Sequence, residues 1–110
     1  MKQYVIDGLR PEDYQKLKAY LDRYLKPSSI SGVYWLELDQ DILTPVQRRH
    51  KACQPHIFAL MLEETYLSCE FLVRIENKIK CDCMAYATKE QCNRLMDQVD
   101  AILEKLDICV

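Results

Sequence analysis

The chain predicts an α+β fold: a two-layer sandwich in which a mostly antiparallel sheet of about five strands carries the long helices on one face. Three observations lead there. Apolar residues recur at the helical period in one segment near the start and another at the end. Between them lie short runs rich in aromatic and β-branched residues. The elements then fall in the order β-α-β-short α-β-β-β-α, with the hairpins gathered in the second half. A length of 110 residues suits a single domain over 1–110, large enough to bury a core without covalent staples.

Taken in order, Gln3 to Asp7 reads as a first strand. Arg10-Pro11-Glu12-Asp13 opens a helix, with proline early and acids in the first turn, where they complement the helix dipole. Tyr14, Leu17, Tyr20, Leu21, Tyr24 and Leu25 form its apolar stripe, and Pro27 ends it. Val33 to Leu38 is a second strand. Asp39 to Pro55 is too long for structureless chain in so small a domain. Thr44, Pro45 and Gln47 relieve this, because together they write a capping box for a short helix from about Pro45 to Cys53.

A meander follows: Ile57 to Glu63, Leu67 to Ile75, and Ile79 to Tyr86, the last entered through Glu76-Asn77-Lys78. Pairing Ile75 with Ile79 sets Val73 opposite Cys81, Phe71 opposite Cys83 and Cys69 opposite Ala85, which gathers one apolar surface. Thr88 and Gln91 write a second capping box. The helix it starts buries Cys92, Leu95, Met96, Val99, Ile102, Leu103 and Leu106 and wets a mostly acidic face.

Composition removes several function classes. Hydrophobic residues at 49% and charged residues at 29% exclude a disordered chain. A net charge of −2 argues against a nucleic-acid binder, which usually carries a basic excess. Two glycines are too few for a phosphate-cradling loop. Met1 to Asp7 contains no signal or transit pattern, and the apolar runs fall well short of the ~20 residues that span a bilayer. The expectation is therefore a cytoplasmic protein without membrane contact, whose six cysteines stay reduced rather than paired.

The sharpest constellation is His50-x-x-Cys53-x-x-His56, followed by Cys81-x-Cys83. His50 and Cys53 are three apart on the short helix and share a face. Cys81 and Cys83, two apart on a strand, point the same way. In a three-strand meander the first and third strands start at the same end of the sheet, about two strand spacings of 4.8 Å apart. A tetrahedral zinc ion on His50, Cys53, Cys81 and Cys83 is geometrically allowed, with His56 as second shell or substitute. Against this stands the plain alternative that Cys81 and Cys83 are buried thiols on an apolar strand face.

A thiol-dependent enzyme or redox sensor using Cys53 beside His50 draws on the same atoms. No oxyanion hole or third orienting group accompanies that pair. Arg48, Arg49, His50 and Lys51 form a basic knot, with Glu37, Asp39 and Asp41 close enough in sequence to neutralise part of it. The leading expectation is a small non-enzymatic binding domain with a zinc site and a protein partner or small ligand. An apolar small-ligand pocket between sheet and helices is a third reading. An open strand edge makes a homodimer plausible.

Overall fold

The computed structural model of the chain describes residues 2–76 and 81–109. Its elements are β1 (Gln3–Asp7), α1 (Pro11–Tyr24), β2 (Lys26–Pro27), β3 (Val33–Glu37), α2 (Pro45–Arg49), β4 (His56–Leu62), β5 (Tyr66–Glu70), β6 (Leu72–Ile75), β7 (Ala85–Tyr86) and α3 (Lys89–Lys105). Single 3-10 turns occupy Gln40–Ile42 and Lys51–Cys53. The α+β class is the expected one. The sheet, however, has seven strands among the described residues rather than five.

Two features raise the count. Lys26–Pro27 adds a two-residue edge strand where only a helix end was read. The expected single strand from Leu67 to Ile75 is broken at Phe71 into β5 and β6. Both pieces pair with the same edge of β4, as Leu60↔Cys69 and then as His56↔Ile75. Between those two pairings the β5–β6 side spends two more residues than β4. An offset of two keeps the alternation of faces intact. Leu67, Cys69, Val73 and Ile75 therefore all point to the side where Phe58, Leu60 and Leu62 point.

That side is the core. Leu17 and Leu21 of α1, with Leu95, Val99 and Leu103 of α3, pack there against Ile6, Tyr34, Phe58, Leu60, Leu62, Leu67, Cys69 and Val73. Both long helices thus cover one face, and Val5 and Met61 on the other remain exposed. Gly32 sets the start of β3 against the end of β4. Its φ of +84° is left-handed, and an added Cβ would meet the Leu62 carbonyl oxygen at 3.2 Å, so any side chain there is strained.

The third meander strand is corrected. Its predicted start at Ile79 lies outside the described residues, and strand pairing is confined to Ala85–Tyr86. The observed register is Val73↔Ala85 and Leu72↔Tyr86, not Val73↔Cys81, Phe71↔Cys83 and Cys69↔Ala85. The cause is local. Met84 donates its N–H to the Cys81 carbonyl at 3.0 Å, closing a turn over Cys81–Met84 that removes both cysteines from any ladder.

Three carboxylates tie the helices to their surroundings. Asp13, fully buried, accepts from the Arg10 side chain and backbone at the start of α1, and those bonds hold its pKa below the usual range. Asp22 is lowered by the Tyr34 hydroxyl and then by Lys18, and Asp41 by Arg94. A carboxylate depressed in the folded state stabilises it above the unfolded-state pKa, and that stability is lost as pH falls through the folded one. In chelator-treated protein the thermal midpoint is therefore expected to fall steeply below about pH 4, after a gentler decline below about pH 6.5 from the buried His56, whose lowered pKa lets the unfolded chain take up that proton first. A midpoint that stays level down to pH 3 would contradict this.

Candidate metal centre

The helix that Thr44 starts is short. Thr44 Oγ1 accepts from the Gln47 N–H at 3.2 Å and Gln47 Oε1 accepts from the Thr44 N–H at 3.0 Å, so the expected box is in place. After Arg49 the backbone departs at His50 (φ −91°, ψ 62°), and the chain tightens into a 3-10 turn over Lys51–Cys53. Cys53 N–H then bonds the His50 carbonyl at 3.0 Å. Residues three apart eclipse in a 3-10 turn. The imidazole of His50 and the thiol of Cys53 consequently stand on one side, as the longer α-helix would also have placed them.

Across from them sits the Cys81–Met84 turn. His50 Nδ1 lies 2.9 Å from Cys81 Sγ, and the sulfurs of Cys53 and Cys81 are 3.7 Å apart. One donor atom from each of His50, Cys53, Cys81 and Cys83 falls within 4.8 Å of all the others. Cys83 is 1% exposed and the other three are half-buried. The four residues form a group that can hold a metal ion. A tetrahedral zinc with Zn–S bonds of 2.3 Å sets its sulfurs about 3.8 Å apart, the spacing Cys53 and Cys81 already have. The corresponding S–N separation is about 3.6 Å, so His50 would back away from Cys81 by about 0.7 Å.

The electrostatics set the thiols of this group apart from one another. The Cys81 thiol is lowered to about 7, first by the backbone N–H of Cys83 pointing at its sulfur, then by the Cys83, Cys53 and His50 side chains. Burial pushes Cys83 up to about 12, and the neighbouring sulfurs add to this. One negative charge is accepted here and a second is opposed. Three thiolates within this radius need a divalent ion among them.

Two glutamines support the turn from behind. Gln47 donates from Nε2 to the Cys83 carbonyl at 3.3 Å. Gln91, the capping-box glutamine of α3, donates from Nε2 to Gln47 Oε1 at 2.9 Å and to the Ile42 carbonyl at 2.8 Å. Gln47 is 2% exposed and Gln91 is fully buried. One amide chain thus runs from the start of α3, through the start of α2, to the cysteine turn. Both glutamines were legible as caps, but their reach to Cys83 was not. The available signal was the residue type, since glutamate caps equally well but lacks the Nε2 donor used here.

The other candidates take different places. His56 lies on the core face of β4, 2% exposed, opposite Ile75 and outside the four-atom group. Neither ring nitrogen has a hydrogen-bond partner among the described residues, and burial, then His50, lowers its pKa, so it stays neutral. The contact of His50 is with Cys81 and not with Cys53. Cys69 is fully buried and pushed up to about 12, Cys92 is raised by burial, and Cys109 is exposed. Among the described residues the basic knot forms no ion pair with the expected side chains, although the charge of Arg48 helps to lower the Asp41 carboxyl. Asp39 and Asp41 are held by Arg94 of α3 at 2.9 and 2.8 Å, and Arg48 reaches only the Asp41 carbonyl. No helix is long and apolar enough to cross a membrane among the described residues. Comparison of the chain with known protein families, with curated proteins and with solved structures gives no match, so its reading rests on the geometry of this His and Cys cluster.

Proposed function

We propose that the chain is a non-enzymatic binding domain whose α2 loop and Cys81–Met84 turn are clamped together by one structural zinc ion on His50, Cys53, Cys81 and Cys83. The observation that carries this reading is the convergence of four donor atoms within 4.8 Å from two segments distant in sequence. Four protein ligands fill a tetrahedral zinc and leave no position for water or substrate, which is the pattern of a structural rather than a catalytic site. The buried amide chain from Gln91 through Gln47 to Cys83 supports it, because it positions a ligand in the way outer-shell groups of metal sites do. A reducing compartment such as the cytoplasm suits three ligand thiols.

Protein purified without an affinity tag is expected to carry zinc at one per chain. Cobalt in its place should give the visible bands of a tetrahedral ion and a thiolate-to-cobalt charge transfer. Zinc should shield Cys53, Cys81 and Cys83 from alkylation while Cys109 reacts freely. Protein that takes up no stoichiometric zinc, with all three thiols alkylated at equal rates whether or not zinc is added, overturns the reading. A thiol-based redox role is the second reading, favoured by the 3.7 Å separation of Cys53 and Cys81 and by the lowered Cys81 thiol. It moves the reactive sulfur from Cys53 to Cys81. Its mark is a Cys53–Cys81 disulfide formed by mild peroxide in protein that never retains zinc.

A further inference from the structure

We propose that the uncovered end of β3 and the cavity beside it bind an extended peptide segment carrying a lysine or arginine. This site is separate from the metal centre and does not depend on it.

β2 covers only part of its neighbour. Lys26 pairs with Trp35 and Pro27 with Tyr34, and there the ladder ends. Leu36 and Glu37 have β4 on one side and, among the described residues, no strand on the other. Backbone groups of alternate residues in a strand point to opposite edges. The Leu38 N–H bonds His56 on β4, whereas Val33 makes its bonds to Ser28 and Ile30 on the outer side. Glu37, four residues after Val33 and next to Leu38, therefore turns its N–H and C=O outward. Such an edge is a template for an added strand.

The cavity decides which strand. It measures about 640 Å³ and lies against the same edge, with Trp35, Leu36 and Glu37 in its wall. Three carboxylates line it, on Glu37, Asp39 and Glu76; Lys26 holds Glu76 and Arg94 holds Asp39, which leaves Glu37 to meet an incoming cation. The Lys26 ammonium shows what the cavity accepts. Its Nζ lies 2.8 and 2.9 Å from the two oxygens of Glu76 and 6.0 Å from the centroid of the Trp35 ring. An ammonium or guanidinium between a carboxylate and an indole face is held by charge and by the ring's quadrupole together. Glu37 is exposed and makes no ion pair among the described residues, so a second cation has a carboxylate waiting at the open edge. Main-chain pairing at Glu37 supplies affinity, and the basic side chain supplies specificity.

Trp35 is the only tryptophan of the chain, so its emission reports occupancy directly. The probes are a short blocked peptide of alternating valine and lysine, its glutamate counterpart, the lysine peptide with methylated backbone nitrogens, and acetyl-lysine amide. On zinc-treated protein the lysine peptide should shift the emission saturably. The glutamate and N-methylated peptides should bind at least about tenfold more weakly. Glu37→Gln should weaken the lysine peptide by up to about fivefold with an unchanged thermal midpoint. Equal binding of the N-methylated peptide overturns the proposal, since no strand is then added. Acetyl-lysine amide binding as tightly as the peptide overturns it too, leaving a bare cation site. So does an emission indifferent to every probe. Zinc content measured on the same samples reads the metal centre independently, so one idea can fail without the other.

Discussion

Stripping zinc from the loaded chain is expected to lower its thermal midpoint by about 15 °C without unfolding it at room temperature. A ligand that binds only the folded state stabilises by about 4 kcal/mol when its free concentration is a thousandfold above its Kd. In a domain of this size each kcal/mol moves the midpoint by about 4 °C. The ion therefore matters, yet it is not the sole support of the fold. Leu17, Leu21, Phe58, Leu60, Leu95 and Val99 are essentially sealed from water in a core cluster to which none of the four candidate ligands belongs, unlike the interior of a zinc finger, which has no such core. Cys83→Ser should reproduce the chelator's effect and make the chain indifferent to added metal, while Cys92→Ser stays close to wild type in its zinc response. Calorimetry with and without chelator separates these cases. A midpoint moving by less than about 3 °C on chelation would mean that no ion of consequence is bound.

The second large effect belongs to Gln91. Replacing it by leucine keeps the volume but strands the Thr88 N–H and the Ile42 carbonyl, and takes from Gln47 Oε1 one of its two donors, leaving it the Thr44 N–H. Loss of a helix cap costs about 1 kcal/mol, and each buried group left unsatisfied about 1–3 kcal/mol. A total of about 3 kcal/mol is expected in urea titration, with the slope of the transition unchanged. Gln47→Leu should act differently. It frees the Cys83 carbonyl, so beyond a similar loss of stability it should weaken zinc by about tenfold, in the range seen when an outer-shell partner of a metal ligand is removed. Gln47→Glu sharpens the point, because it retains the acceptor for the Thr44 N–H and removes the donor to Cys83. Zinc affinity equal to wild type in Gln47→Glu would show that the turn holds its own shape.

Where a signal is local, the sequence was readable. Two Thr-x-x-Gln boxes, two proline-opened helices and two apolar stripes each declare themselves within a few residues, and each element is in its place. Lys26–Pro27 was missed because two residues make no pattern and proline argues against a strand; it is tolerated at the edge, where its missing N–H is not needed. The Cys81–Met84 turn was misread because a free cysteine counts as apolar. Cys81, Cys83 and Ala85 therefore imitate the alternation of a half-buried strand. The four-residue cluster was nonetheless nominated, since a turn and a strand can both set sulfurs two apart on one side. What no window of sequence contains is the contact between Gln47 and Cys83, 36 residues away, or the capture of Asp39 and Asp41 by Arg94 in place of the basic knot.

The break at Phe71 carries an evolutionary corollary. The surplus there is even, which is why Val73 and Ile75 stay inside and Arg74 stays with Glu70 outside. Losing or gaining one residue at this spot would turn the guanidinium inward and expel two aliphatic side chains at a stroke, whereas a pair could come or go and leave every neighbour facing as before. Length variation among descendants of this chain should therefore obey parity between Glu70 and Leu72, and be free of it in the hairpin at Glu63–Thr65, where an added residue only lengthens the connection between β4 and β5.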